Sequence, residues 1–106
     1  MSHPIPPSRH ALSATEVATQ LGQLNGSQAP GWQLIDGALE KAFRFKNYYE
    51  TLSFVNAVAF IAHAQNHHPE LAVSYSQCTV RFSTHDLNAL SHNDFTCASQ
   101  VDALLV

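Results

Sequence analysis

Residues 31–46, GWQLIDGALEKAFRFK, decide the fold, because they predict two β-strands joined by a tight turn. Asp36-Gly37 is typical of two-residue hairpin turns. Gly31–Ile35 predicts the strand before the turn, and Leu39–Lys46 predicts the strand after it, with apolar and polar side chains in alternation. Lys41 breaks this alternation and indicates an edge of the sheet. The stretch therefore predicts an antiparallel pair of strands with one apolar face.

Helices are predicted on both sides of this hairpin. Ser13-Ala14-Thr15-Glu16 is a capping-box pattern and predicts a helix start, and Ser91-His92-Asn93-Asp94 repeats that pattern near the C-terminus. Between them, the segment from Asn47 to about Asn66 contains neither Gly nor Pro and predicts the longest helix. With a second hairpin after Pro69, the order is α-β-β-α-β-β-α. This order predicts an α+β domain: an antiparallel four-stranded sheet with three helices on one face.

The second hairpin is predicted from two alternating apolar segments. Leu71, Val73 and Tyr75 alternate in the first segment, and the second segment runs through residues 78–82. Ser76-Gln77 is the predicted connection. Tyr75 is therefore expected to pack in the core.

The long helix carries two apolar stripes, which predicts burial on two sides. One side would face the sheet, and the other a neighbouring helix or subunit. We therefore expect a homo-oligomer, either a dimer or a tetramer. The stripes consist of Tyr48, Leu52, Val55, Ala59 and Ala62, and of Phe54, Val58 and Ile61.

Composition limits the function classes. The 106 residues predict one domain over 11–106 after a mobile tail over 1–10. The net charge of −3, with only five Lys and Arg, argues against direct nucleic-acid binding. The sequence has no apolar run of membrane-spanning length and no signal-peptide core at its start. Cys78 and Cys97 lack metal-ligand spacing and indicate buried reduced thiols. A cytoplasmic protein is expected.

Histidine is unusually frequent, with seven His against five Lys and Arg. The informative group is His63, His67, His68 and His85. Three interpretations remain open at this point. These residues could be surface and helix-capping histidines, or His63, His67 and His85 could bind a metal ion. Alternatively, their imidazoles could act as general acids and bases near neutral pH.

The sequence also resembles a known family. Residues 43–48 (FRFKNY), 66–70 (NHHPE) and 83–86 (STHD), followed by Asp94, are similar to the pterin-4a-carbinolamine dehydratases. The resemblance implies an enzyme that removes water from 4a-hydroxytetrahydropterin and recycles the pterin of an aromatic amino acid hydroxylase. It implies no metal and no cofactor, because the pterin is the substrate. The alternative is a non-catalytic dimerisation, assembly or coactivator module with the same fold.

The resemblance also assigns roles to individual positions. The catalytic residues would be His67, His68 and His85, supported by the carboxylate of Asp94. The substrate would be bound by residues 66–68 and 83–86, which are Asn66, His67 and His68, and Ser83, Thr84, His85 and Asp86. As the third residue of a capping box, Asp94 also has a structural reason to be where it is.

One position departs from the family pattern. Many members carry a Glu four residues before the first catalytic histidine, and this chain has His63 there. His63 is expected to support the site from a neighbouring position, but without the negative charge. Asp94 or Asp86 would then supply that charge, or the enzyme would work without it. The expected consequence concerns the rate and its pH dependence more than the reaction.

Overall fold

The computed structural model describes residues 10–84 and 89–105. The elements are α1 (Ala14–Asn25), β1 (Gln33–Ile35), β2 (Ala38–Arg44), α2 (Tyr48–Gln65), β3 (Glu70–Val73), β4 (Gln77–Phe82) and α3 (His92–Ala103). The predicted element order is confirmed. Of the predicted N-terminal tail, residues 1–9 lie outside the described residues, as do His85 and Asp86 of the predicted site.

The four strands form one antiparallel sheet in the order β1-β2-β4-β3. Asp36 and Gly37 join β1 to β2 with φ angles of +48° and +78°. Positive φ at both turn residues matches the right-handed twist of the flanking strands, which is why Asp-Gly is favoured there. The hairpin predicted from the sequence is confirmed, and both of its strands are shorter than predicted.

The core lies between one face of the sheet and the helices. Its strand side consists of Leu39, Phe43, Cys78, Val80 and Phe82, all at most 5% exposed. The helices cover that face with Phe54 and Val58 of α2 and with Phe95, Ala98 and Val101 of α3. The prediction of helices on one face is confirmed.

The expectation that Lys41 marks an edge of the sheet is wrong. Lys41 pairs with Val80, so β2 lies inside the sheet and the Lys41 side chain points to the helix-covered face. Its Nζ lies 2.9 Å from Asp102 Oδ1 and 5.0 Å from the centre of the Phe43 ring. The apolar part of the Lys41 side chain therefore lies at the edge of the core, while its ammonium group bonds Asp102 of α3.

The second hairpin also differs from its prediction. Ser74 N–H donates to Gln77 O at 2.9 Å, so the turn begins two residues earlier than expected. Tyr75 consequently lies in the turn, 66% exposed, and its ring stacks on Tyr48 at 6.3 Å. The expected core position of Tyr75 is wrong, because β3 ends at Val73 before the alternation reaches it.

Within residues 10–84 and 89–105, helix α2 is buried on one side. Thr51, Phe54 and Val58 are buried against the rest of the domain. On the opposite side, Tyr49 is 81% exposed and Phe60 is 75% exposed. No helix within residues 10–84 or 89–105 is long and apolar enough to span a membrane.

Candidate active site

The end of α2 directs His67 into the protein. Asn66 has φ +50° and ψ +45°, a left-handed conformation that Asn tolerates better than most residues. Asn66 N–H donates to His63 O, and His67 N–H donates to Ala62 O at 3.0 Å. This pair of bonds is a Schellman motif, which closes a helix and turns the chain away from its axis. Because α2 ends at Gln65, His67 lies beyond the helix and shares no helix face with His63.

The His67 side chain is buried, with 5% of the residue exposed. Its ring stacks on Phe82 of β4 at 6.2 Å, with 13° between the ring planes. Its Nε2 lies 2.5 Å from Asp94 Oδ1. The ring is therefore held on one side by an aromatic face and at one nitrogen by a carboxylate.

Asp94, at the start of α3, is fully buried. Its Oδ2 accepts from Thr84 Oγ1 at 2.8 Å and from the Ser91 backbone N–H at 2.9 Å. Thr84 Oγ1 and Ser91 Oγ are 2.6 Å apart. The bond to Ser91 N–H is the capping contact that the sequence predicted, so one oxygen of Asp94 caps α3 while the other meets His67. The structural and the catalytic interpretations of Asp94 are thus compatible.

A cleft of about 420 Å³ opens beside His67, a volume within the range of small-molecule sites. It is lined by Val58, Ala59, Ala62, His63, Asn66, His67, His68, Pro69 and Leu71. His63 and His68 are exposed at this cleft, while His67 is buried in its wall. The cleft therefore combines an apolar floor with three imidazoles.

The predicted site residues are brought together only in part. His67, Asp94 and Thr84 form one hydrogen-bonded group, and His63, Asn66 and His68 line the cleft. Ser83 is half-buried after β4, and His85 and Asp86 lie outside the described residues. Thr84 is fully buried, and its N–H donates to Ala89 O at 2.9 Å. Its predicted contact with a substrate stays a prediction, and the contacts seen here are with Asp94 and Ser91.

Two partners of this group were not identified as site residues from the sequence. Ser91 was recognised only as a helix cap, although its spacing from Asp94 was the signal that could have placed it here. Phe82 was recognised only as a strand residue. Its contact with His67 depends on how β4 passes the end of α2, which no local pattern specifies.

The two cysteines are free and buried, as predicted. Burial raises the pKa of the Cys78 thiol. Burial, and to a lesser extent the negative charge of Asp94 one turn away, raises the pKa of Cys97 to about 11. Neither thiol is therefore suited to act as a nucleophile near neutral pH.

The metal interpretation of the histidines has no further support from the described part of the chain. Within residues 10–84 and 89–105, no group of three or more His, Cys, Asp or Glu side chains is arranged to hold a metal ion. His85, the third ligand of that interpretation, lies outside these ranges.

Known proteins are similar to this chain over most of its length, including the residues of the cleft. The family model described as pterin 4 alpha carbinolamine dehydratase matches residues 10–104. A relative from Paracidovorax citrulli, provisionally named pterin-4-alpha-carbinolamine dehydratase, is 54% identical over 101 residues, which cover 92% of this chain and 84% of the relative. A relative from Stenotrophomonas maltophilia with the same provisional name is 50% identical over 99 residues, covering 92% and 81%.

Two solved structures are similar as well. A crystal structure from Brucella melitensis, described as a transcriptional coactivator/pterin dehydratase, has a TM-score of 0.81 and 28% identity, and covers 90% of this chain and 98% of that one. A pterin dehydratase-like protein, described as a RuBisCO assembly factor in the alpha-carboxysome, has a TM-score of 0.57 and 24% identity, and covers 69% and 84%. The second likeness concerns the fold alone.

Proposed function

Because this chain belongs to the pterin 4 alpha carbinolamine dehydratase family, we propose that it removes water from 4a-hydroxytetrahydropterin to give the quinonoid dihydropterin. The observation that carries the proposal is His67, which lies in the wall of a cleft and bonds the buried carboxylate of Asp94. A histidine held by a carboxylate beside a small-molecule cleft is the arrangement that general acid–base catalysis needs.

The reaction requires two proton movements. The C4a–O bond breaks as the oxygen takes up a proton and leaves as water. The proton on the adjacent nitrogen goes to a base, and the electron pair of that N–H bond becomes the C4a=N5 bond. We assign the proton transfers to His67 and His85, and binding of the hydroxyl to His68. Positioned acids and bases contribute about 10²–10⁴-fold to such reactions.

The surroundings of His67 support its part in this scheme. Stacking on Phe82 and the bond to Asp94 fix the position of its ring, so a substrate in the cleft would meet an imidazole already in place. Asp94 would also stabilise the imidazolium that forms when His67 takes up a proton. In this proposal Asp94 supplies the negative charge that His63 does not.

The backbone and side chains at residues 66–68 and 83–86 are proposed to bind the pterin, with His63 in a supporting position at the cleft. The proposed reaction uses no metal and no added cofactor, since the pterin is the substrate. We propose that the enzyme is cytoplasmic and recycles the pterin of an aromatic amino acid hydroxylase, with no direct part for nucleic acid or membranes.

The test is the dehydration of freshly generated 4a-hydroxytetrahydropterin, followed by absorbance with and without the protein. We expect acceleration that survives exhaustive chelation and that falls about 10²–10⁴-fold in His67→Ala. His92→Ala is the matched control, because His92 is an exposed histidine that bonds Gln20 on another surface. Loss of activity on chelation would instead support the metal interpretation. Full activity in both His67→Ala and His85→Ala would refute the assignment of the proton transfers.

A non-catalytic module is the second candidate function, and the exposed side of α2 favours it. Tyr49, Leu52 and Phe60 lie on one helix face and are all exposed in the single chain. The Brucella relative is described as a coactivator as well as a dehydratase. No acceleration of dehydration by the wild-type protein would favour this candidate.

The same helix face supports a homo-oligomer, which we propose as a dimer or a tetramer. Large apolar side chains that stay exposed along one helix face are typical of subunit contacts. Light scattering after size-exclusion chromatography would measure the mass in solution. We expect more than one copy, and Phe60→Ser should shift the equilibrium toward the monomer. A monomeric wild-type protein would refute this proposal.

A further inference from the structure

We propose that Thr84 and Ser91 are positioning residues that lock the Asp94 carboxylate, so that His67 keeps a proton on Nε2 and offers Nδ1 as the proton-accepting atom. This inference rests on the proposed dehydratase function and deepens it, because it assigns His67 as the base and names the atom that acts. The two residues act through Asp94 and His67 and do not themselves take part in the chemistry.

The hydrogen-bond directions follow from the donors available. The Ser91 N–H can only donate, and it faces Asp94 Oδ2 at 2.9 Å. A hydroxyl has one hydrogen, so the Thr84 O–H that donates to Oδ2 must accept from the Ser91 O–H, 2.6 Å away. Ser91 therefore acts twice on the carboxylate, directly through its amide and indirectly through Thr84.

Two donors at Oδ2 leave Oδ1 for His67. Because Oδ2 accepts from two donors at the start of α3, where negative charge is favoured, we take the Asp94 carboxyl to be ionised. The ionised carboxylate has no hydrogen to donate, so His67 Nε2 must carry the proton shared over the 2.5 Å contact. In the neutral ring the lone pair then lies on Nδ1.

This arrangement makes His67 a base before a substrate arrives. During dehydration, Nδ1 accepts the proton released from the pterin nitrogen, whose N–H electron pair becomes the C4a=N5 bond. The leaving oxygen takes its proton from a different group and departs as water. Stacking on Phe82, with planes 13° apart, orients the plane of the imidazole, and the bond from Nε2 to Asp94 distinguishes its two nitrogens.

The positioning role predicts a specific response to removal of one hydroxyl. Thr84→Val keeps the shape of the side chain and removes the donor to Oδ2. A hydrogen bond to a charged group corresponds to about a 10- to 100-fold change, so we expect kcat to fall by about that factor with KM changed less than about threefold. Thr84→Ser restores the hydroxyl and should recover most of kcat. Thr79→Val is the matched control: the same substitution in β4, paired with Ala42 and Ala72 and outside the His67–Asp94 group.

Nitrogen NMR of the histidine rings provides a readout that a purely structural role would not move. In the wild-type protein we expect the His67 ring to carry its proton on Nε2, with its signals identified by their loss in His67→Gln. In Thr84→Val we expect a mixture of the two tautomers. Ser91→Ala keeps the backbone amide but removes the hydroxyl, so it should shift both kcat and the tautomer less than Thr84→Val does.

The outcomes separate this inference from the proposed function. A wild-type protein with no dehydratase activity refutes the proposed function. The tautomer measurement still tests whether Thr84 and Ser91 fix the tautomer of His67 through Asp94. An active wild type in which His67 carries its proton on Nδ1 refutes the inference. Equal kcat in the wild type and in folded Thr84→Val refutes it as well. If Thr84→Val does not fold by circular dichroism, the Ser91→Ala tautomer and kcat decide the question.

Discussion

Replacing Asp94 by Asn tests the site most sharply, because the amide can be placed in only two ways. If its nitrogen takes the place of Oδ2, the Ser91 N–H and the Thr84 O–H both meet a donor. If it takes the place of Oδ1, only His67 meets a donor. An unsatisfied buried donor costs about 1–3 kcal/mol, so the second placement is favoured.

The second placement has a chemical consequence. His67 Nε2 would have to accept from the new amide, so the ring would move its proton to Nδ1 and lose the lone pair that we assign to the base. We therefore expect Asp94→Asn to unfold with a free energy lowered by only about 1–3 kcal/mol, while kcat/KM falls about 10²–10⁴-fold. Activity would thus fall much further than stability.

Three measurements check this expectation. Urea unfolding gives the stability change, initial rates of dehydration give kcat/KM, and nitrogen NMR gives the His67 tautomer. Asp94→Ala provides the comparison, because it leaves three donors without an acceptor and should cost more stability than Asp94→Asn. An Asn variant with near-wild-type kcat/KM would contradict the reasoning, and so would one that keeps the proton of His67 on Nε2.

Lys41→Met should lower the free energy of unfolding by about 1–2 kcal/mol, because it removes the 2.9 Å bond from Lys41 Nζ to Asp102. Urea unfolding measures this change, and unchanged stability would contradict a stabilising role of the Lys41–Asp102 pair. Cys78 and Cys97 should resist Ellman's reagent at pH 8 in the folded protein and react after denaturation, because burial raises the pKa of both thiols, that of Cys97 to about 11. Rapid labelling of the native protein would contradict this. The pKa of Glu16 is lowered by hydrogen bonds from the residue that caps α1. Its contribution to stability is therefore present above the unfolded value of 4.5 and is lost as the pH falls through the lower folded pKa. Acid titration of Glu16→Gln should lack that component, and identical acid unfolding of variant and wild type would refute it.

Features that depend on neighbouring residues were predictable from the sequence. The first capping box is present as expected, with Glu16 N–H donating to Ser13 Oγ at 3.2 Å and Ser13 N–H to Glu16 Oε1 at 2.9 Å. The Asp36-Gly37 turn and the limits of α2 also agree with the prediction to within about a residue. In each case the decisive contacts join residues at most five apart, so the local sequence contains all the groups involved.

Features that depend on distant segments required the tertiary structure. Lys41 reaches Asp102, 61 residues away, and this contact explains a charge on the core face that alternation alone could not. Tyr75 lies outside the core because the pairing of β3 with β4 ends at Val73. Where that pairing ends depends on the partner strand. Pattern reasoning treats each segment separately and cannot say where a pairing stops.

The sequence by itself determined which residue types the site would use, and the tertiary structure decided which atoms meet. His67, Thr84 and Asp94 were named as site residues because the sequence resembles the family at these positions. The bond between His67 and Asp94 joins residues 27 apart, and it forms because the left-handed Asn66 turns His67 toward the start of α3. The role of Ser91 also depends on tertiary packing, since its hydroxyl meets Thr84 only when the end of β4 and the start of α3 pack together. Local hydrogen bonding fixes the elements, whereas the geometry of a buried polar group is fixed only when the core closes around it.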